Sequence, residues 1–352
     1  MATRRNVFCA TRRFPRAAVC VLMAAAALAL SACKRNAQGD PVPSRSPSIS
    51  NSAVPSVQPS AEVKKPALPS NLQGDTQDPT IQVFVVETGK VESMKVEEYL
   101  CGVLAGEMRD DWPDEALKAQ AIIARSFLLH FLDEKGGSAL ADADISTDIQ
   151  ESQAYDVAGI TDKIRKMVKD TKGMTMAYEG DYVIGWFYSC SGGITAMAAE
   201  GLNYNKPEPP YIQMVTSDDS AAPDEFRIWD ARFTKAKLQE AFQTMGLKIT
   251  DFSTVSISKR GPSGRCTELM FGDTPVNCVD LRTALDAKVF RSTLLEDISW
   301  DASKGILSVN GKGFGHGVGM SQWGAFTMAT EGKKAEEILK YYFKNVELVK
   351  MW

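Results

Sequence analysis

A run of helix-spaced apolar residues that ends on a glutamate constrains this chain more than any other stretch of its sequence. Val96, Leu100, Val103 and Leu104 fall on one helical face, with Ser93 placed to cap it. Eleven residues after Val96, about three turns on, the same stripe reaches Glu107. A carboxyl among apolar neighbours has its charged form disfavoured, which raises its pKa and suits it to general acid work. A helix-end glutamate turned to solvent, or paired with Arg109, fits the same spacing. Trp112-Pro113 then breaks the helix, Asp114 is placed to cap a second one, and Glu115 to about Leu132 alternates alanines with larger apolar groups. Lys118 and Arg125, seven residues apart, share a face of that second helix. That face either looks into a cleft opposite Glu107 or is a solvated basic stripe.

The stretch before it reads as export and tether. Arg4, Arg5, Arg12, Arg13 and Arg16 precede an apolar run from Ala17 to Leu30 that is short for a membrane span. It ends in Leu30-Ser31-Ala32-Cys33, which resembles the lipobox of bacterial lipoproteins and implies cleavage after residue 32 with lipidation of Cys33. Secretory cleavage with Cys33 left as a thiol is the simpler alternative. Losing residues 1–32 removes five arginines and no acid, so 35 basic residues face 44 acidic ones, a formal charge of −9. No basic run with interleaved aromatics is present, which argues against nucleic acid as a partner. An acidic protein of this kind must hold an anionic polymer through a local cleft. Residues 36–79, rich in Pro, Ser, Gln and Asn, bury too little apolar surface to offset chain entropy and are expected to form a disordered tether. A flexible chain of that length spans roughly 35–40 Å.

From residue 80 to 352 the pattern is that of an α+β fold, mixed strands and helices in one large two-lobed domain with a cleft. Ile81 to Val86 reads as a strand. Residues 135–161 read as a polar irregular loop broken at Gly136-Gly137, and Thr161 to Asp170 as a short helix. Met174–Tyr178 and Tyr182–Tyr188 read as strands around the turn at Glu179-Gly180-Asp181. The second of them delivers Ser189-Cys190-Ser191-Gly192-Gly193, a tight turn whose backbone N–H groups can face a ligand. Trp229 to Leu247 reads as a helix and Phe252 to Ser258 as a strand. Residues 265–279 form a hairpin about Gly272-Asp273, with Cys266 and Cys278 equally far from Gly272, so a disulfide between them is expected in an exported protein. Whether Cys101 and Cys190 also pair is open.

Near the C-terminus Gly311, Gly313, Gly315, Gly317 and Gly319 alternate with larger residues. Period two puts the glycines on one side, as in a strand or extended loop, and lets another backbone approach closely. Ser321 then caps a short helix, and Ala335 to Phe343 forms the last one. The run lacks the Gly-Lys-Ser/Thr of a phosphate loop, and Gly319-Met320-Ser321-Gln322-Trp323 has Trp where a nucleophile elbow needs Gly. A Cys190–His316 hydrolase pair has no third orienting group in evidence.

Three stretches are similar to the signature of the sporulation stage II protein D (SpoIID/LytB) family. They are Glu107 to Phe127, Phe187 to Thr195, and Gly313 to Ala325, in family order. The resemblance implies a lytic transglycosylase acting on peptidoglycan glycan strands, preferably those stripped of stem peptides. One carboxylate suffices there, because the attacking nucleophile is the muramic acid's own hydroxymethyl group; an ordinary glycosidase needs two. It implies that Glu107 is the acid and base. Lys118, Arg125 and His316 would orient sugars or stabilise charge, and Ser191, the Gly192-Gly193 turn and Gln322 would give hydrogen bonds. Trp112, Tyr188 and Trp323 would offer faces for stacking. Some relatives hold zinc near a Gln-Val-Tyr; here Gln153-Ala154-Tyr155 follows Glu151 and Ser152 where His and Cys would stand, so no metal and no cofactor is expected. Arg109-Asp110-Asp111 departs from the family pattern and leaves a second carboxylate, and therefore hydrolysis, open. The competing class, also implied by the resemblance, is an amidase enhancer that docks glycan for a cell-wall amidase. The apparent lipid anchor implies a cell-envelope location at a membrane.

Overall fold

The computed structural model describes residues 64–72 and 77–352. The leader, Cys33 and the tether up to residue 63 lie outside the described residues. Residues 64–72, expected to belong to the tether, lie along the folded domain. Leu72 is buried, Lys65 Nζ donates to the Lys350 carbonyl at 2.8 Å, and the Tyr182 hydroxyl donates to the Ala67 carbonyl at 2.9 Å.

The first lobe opens with β1 (Thr80–Val85), whose Ile81, Val83 and Val85 alternate into the core, and an antiparallel partner β2 (Lys90–Lys95). Helix α1 (Val96–Glu107) follows without a break. Ser93 does not cap it: that residue is paired with Gln82 inside β2, and the Val96 N–H is satisfied by the Pro79 carbonyl at 2.9 Å. Helix α2 (Asp114–Lys135) starts at Asp114 and runs one turn past the expected end, stopping at Gly136 in the left-handed region (φ 73°). The loop after it hides a short strand, β3 (Ile145–Ser146), parallel to β1. Thr161 caps α3 (Asp162–Asp170) by accepting from the Ile164 N–H. β4 (Met174–Tyr178) and β5 (Asp181–Tyr182) form the expected hairpin. The strand expected to continue to Tyr188 is interrupted, because the backbone at Gly185 presses on α2. A Cβ there would sit 2.3 Å from the Ile123 carbonyl oxygen. Pairing resumes in a different sheet as β6 (Phe187–Tyr188), and α4 (Ala198–Leu202) follows.

The chain then builds a second core. α5 (Asp224–Arg227) leads into β7 (Ile228–Thr234) and α6 (Lys235–Thr244). The helix expected from Trp229 is thus a strand for its first six residues, since Trp229, Ala231 and Phe233 are buried at period two. β8 (Val255–Arg260), β9 (Cys266–Phe271) and β10 (Thr274–Asn277) make one antiparallel sheet. α7 (Cys278–Ala284) follows, capped by Asn277, whose side-chain oxygen accepts from the Val279 and Asp280 N–H groups. β11 (Leu295–Asp301) and β12 (Ile306–Lys312) complete a second antiparallel sheet with β7, in the order β11-β12-β7. Phe242, Phe271, Leu281 and Phe290 are fully enclosed between the two sheets and the helices. The hairpin register pairs Phe271 with Thr274, so Cys266 falls opposite residue 279 and not Cys278. The turn into α7 nevertheless brings the two buried thiols into contact, and both are present as thiols.

Beyond β12 the glycine run, expected as a strand or extended loop, is a loop that bends. Gly313, Gly315, Gly317 and Gly319 all have φ between 76° and 115°. At Gly317 a Cβ would meet the Arg265 guanidinium at 2.4 Å, so both the dihedral and the space demand glycine. The chain thereby returns to the first lobe as β13 (Met320–Ser321), parallel to β6, then α8 (Gln322–Thr330), α9 (Ala335–Tyr342) and β14 (Glu347–Lys350), which adds to β4. Ser321 does cap α8, accepting from the Gly324 N–H at 3.2 Å. Helix α2, with fourteen of its 22 residues buried, is the pillar of this lobe: α1, α3, α8, α9 and β4 all pack on it. The result is an α+β architecture of two cores in one unit, with small sheets. Among the described residues no helix is long and apolar enough to cross a membrane.

Candidate active site

A cleft of about 550 Å³ is lined by both lobes. The first lobe gives Glu107 from the end of α1, Phe127 from α2, Gln150 and Gln153 from the loop beyond β3, and Trp186 to Ser189. The second gives Arg282 and Thr283 from α7, and the returning chain gives Phe314 to His316 and Gln322.

Glu107 is the carboxylate of this lining. Its Oε1 accepts from the Ala154 N–H at 2.7 Å and its Oε2 from the Gln322 amide at 3.3 Å. Burial raises its pKa to about 7, outweighing those two hydrogen bonds, which favour the charged form. The Ala154 donor arrives because α1 carries glycine at two positions one turn apart. The Tyr155 ring occupies the space where a Cβ of Gly102 would lie, and a Cβ on Gly106 would stand 2.7 Å from the Tyr155 nitrogen. Glycine weakens a helix by about 1 kcal/mol per site; here it opens a groove that seats the backbone of residues 154–155 against the acid. Gln322 is placed by Ser321, which caps α8 and also donates to Asp219 Oδ1 at 2.8 Å.

The other residues singled out in the sequence have different surroundings. Lys118 pairs with Glu115 at 2.9 Å and is not part of the cleft lining. Arg125 is fully buried and forks onto Glu97 (3.2 and 2.6 Å), with a third bond to the Met174 carbonyl at 2.8 Å. Glu97 in turn accepts from the Trp352 indole at 3.0 Å, so this pair ties α1, α2, β4 and the C-terminus together. Lys118 and Arg125 thus find their partners away from the cleft, on α1, α2, α3 and β4.

Ser191 is buried too. Its N–H, at 2.5 Å, its hydroxyl, and the Gly192 N–H, at 3.1 Å, all donate to Asp219 Oδ2. The glycine turn therefore faces an internal carboxylate and not a ligand. Ser217 and Ser321 hold the other Asp219 oxygen, so this aspartate joins the turn after β6 to the cap of α8. Arg265, also buried, clasps the same turn from β8–β9, donating to the Ser191 and Ile194 carbonyls at 3.1 Å each.

His316 lines the cleft with both ring nitrogens engaged. Nδ1 accepts from the Val318 N–H at 3.1 Å, which leaves Nε2 to donate to the Phe187 carbonyl at 2.9 Å. Burial lowers its pKa to about 3, helped by the Arg282 charge, so it is neutral at physiological pH. Tyr188 lies against His316, ring centroids 5.4 Å apart, and its buried hydroxyl has no partner among the described residues. Trp112 is not a free stacking face: it packs on Trp323 and Phe326 with centroids at 4.6 and 5.2 Å, fastening the α1–α2 link to α8. Half-buried aromatics that do line the cleft are Phe127, Trp186, Phe187 and Phe314. Asp110 and Asp111 are exposed, with Asp111 paired to Arg109 on the surface. Glu151 is engaged with the Ser138 hydroxyl and the Ala139 N–H, and Ser152 with the Ser146 carbonyl. Among the described residues no group of three or more His, Cys, Asp or Glu side chains is placed to hold a metal.

Asp219, Arg265 and Arg282 escaped the sequence reading. Asp219 and Arg265 act across the fold from loop segments with no periodic signal, and Arg282 sits on the seven-residue α7, too short to show which of its faces meets the cleft. The Gly102–Gly106 spacing is the one local hint, two glycines one turn apart within a twelve-residue helix.

Fold and site together define a two-lobed α+β domain with one perturbed carboxyl at an interlobe cleft. Residues 86–178 match the Stage II sporulation protein (SpoIID) family. Over 288 residues the chain is 30% identical to Stage II sporulation protein D of Bacillus amyloliquefaciens, covering 76% of this chain and 78% of that one. An uncharacterised protein of Brachyspira hyodysenteriae is 30% identical over 259 residues, 74% of this chain and 68% of its own. The amidase enhancer of Bacillus subtilis is 26% identical over 301 residues, 71% of this chain but 40% of that longer one. The chain belongs to the SpoIID family.

Proposed function

We propose that this protein is a lytic transglycosylase of peptidoglycan, cutting peptide-stripped glycan strands at the cell envelope. The observation that carries the reading is Glu107, the one carboxylate among the described residues lining the cleft, with a pKa raised to about 7. A group that titrates there is half protonated at neutral pH and serves both halves of the reaction. As the acid, Glu107 gives its proton to the glycosidic oxygen while the bond to muramic C1 breaks. As the carboxylate, held by Ala154 and Gln322, it takes the proton from the C6 hydroxyl as that oxygen closes on C1. The product is a 1,6-anhydromuramic end, and no water is consumed. The exposed Asp110 and Asp111 offer no second carboxylate for a hydrolytic partner. His316, neutral and bonded at both nitrogens, shapes the cleft and does not donate charge.

The second reading is a glycan-docking enhancer of a cell-wall amidase, favoured by the relative that bears that name. In either case the protein would be exported and anchored through Cys33. The test incubates the full chain and its Glu107→Gln variant with peptide-free glycan strands and weighs the products. Cleavage by the wild type, reduced 10²-fold or more in the variant, supports the enzyme. Binding by both without cleavage supports the enhancer.

A further inference from the structure

The cleft holds a cation that the reaction does not use. Arg282 Nε donates to the Arg291 carbonyl at 3.1 Å and Nη2 to the Ala287 carbonyl at 3.4 Å. Both partners are neutral, Nη1 has no protein partner among the described residues, and no described carboxylate pairs with this guanidinium. The contrast with Lys118 and Arg125, each matched to a glutamate, is direct. Arg282 is half-buried, and partial desolvation of an arginine without a counter-charge carries a cost that an anionic ligand would relieve. The side chain is also well placed to read a ligand. Its helix, α7, is capped by Asn277, and Asp280 accepts two hydrogen bonds from Asn203 in the first lobe, at 3.2 and 3.1 Å. Its charge acts on His316 but is not among the causes that set the Glu107 pKa, so it does not tune the acid.

We infer that Arg282 is the specificity-determining residue of the cleft, and that it recognises a free carboxylate on the bound sugar. The inference rests on the glycan reading above. On a glycan strand that carboxylate is the lactyl group of muramic acid, which is ionised when no peptide is attached and becomes a neutral amide when one is. A guanidinium that finds its missing counter-charge only on the unsubstituted sugar discriminates between the two strands by the charge-assisted bond itself.

The test uses the full chain carrying Glu107→Gln, so that strands stay whole. Its binding is measured to peptide-free strands and to the same strands with the lactyl carboxylates coupled to methylamine. The free strand is expected to bind at least tenfold more tightly. Adding Arg282→Gln should bring it down to the level of the amide strand while leaving amide binding unchanged, and Arg282→Lys should retain part of the preference. Thermal unfolding of each variant checks that the fold is intact, and the lysine variant carries the test if the glutamine one is not folded. Equal binding of the two strands, or a glutamine variant that discriminates as before, overturns the inference; wild-type cleavage would leave the catalytic reading standing in that case. Preserved discrimination in a protein that never cleaves supports Arg282 and removes the transglycosylase.

Discussion

At Glu107 two effects oppose each other. Burial disfavours the carboxylate, two hydrogen bonds favour it, and burial wins. The stability consequence has a definite sign. Between the ordinary value of 4.5 and about 7 the folded chain holds a proton that the unfolded chain has lost, so this residue makes stability fall as pH rises through that window. Glutamine keeps an acceptor for Ala154 and cannot ionise. Glu107→Gln is therefore expected to be more stable than wild type at pH 8, by on the order of 2 kcal/mol, with the gain gone below pH 4.5. Urea unfolding at pH 4 and 8 checks this, and a variant less stable at pH 8 would contradict it. The helical stripe from Val96 reaches this glutamate in the sequence, but the same spacing fits a solvent-facing side chain, and only the segment at Ala154 that covers it in the fold separates the two. The same reasoning was blind to Lys118 and Arg125. A seven-residue spacing says that two side chains share a face, but not that Glu115 on the same helix and Glu97 on α1 pair with them.

At the scale of elements, α1 is shaped to be crossed. Helix propensity alone says that Gly106→Ala should stabilise by about 1 kcal/mol. The structure predicts the reverse, since the new methyl meets backbone at 2.7 to 2.9 Å, at Tyr155 and Ala154, and not a flexible side-chain tip. Displacing that segment weakens the Ala154 bond, so the Glu107 pKa moves further up. Gly106→Ala is expected to lose stability and to shift the alkaline limb of the activity profile to higher pH. A more stable variant with an unmoved profile would refute the groove. Elements with strong local signals, such as α2, α3, α9 and the β9–β10 hairpin, were legible in the sequence. β7 was misread because Trp229, Ala231 and Phe233 sit directly before a genuine helix, and one apolar run then carries two periods. β3 was missed because two residues paired to a distant strand leave no pattern.

The molecule as a whole joins two cores through a few buried polar residues. Asp219 fixes the turn at Ser191 to the cap at Ser321, which sets Gln322 beside Glu107, while Arg265 reaches from the second lobe into the same turn. Two of the three motifs recognised in the sequence are thus largely architectural, and they act on the acid by positioning. Within the second lobe the buried thiols of Cys266 and Cys278 touch. In an oxidising compartment they are expected to bond, closing a short loop worth about 3 kcal/mol in the chain-entropy picture. Non-reducing peptide mapping of the protein recovered from an oxidising compartment should find the linked pair; alkylation of both thiols would contradict it.

If the single carboxyl of Glu107 drives an intramolecular displacement, the oxygen that closes on C1 comes from the sugar and none comes from water. Peptide-free strands would be digested by the full chain in water enriched in oxygen-18, and the new ends weighed. Anhydromuramic ends lacking both the mass of water and the label are predicted, together with their loss in Glu107→Gln. Reducing ends that carry oxygen-18 would mean that water attacks, and would contradict the single-carboxylate account.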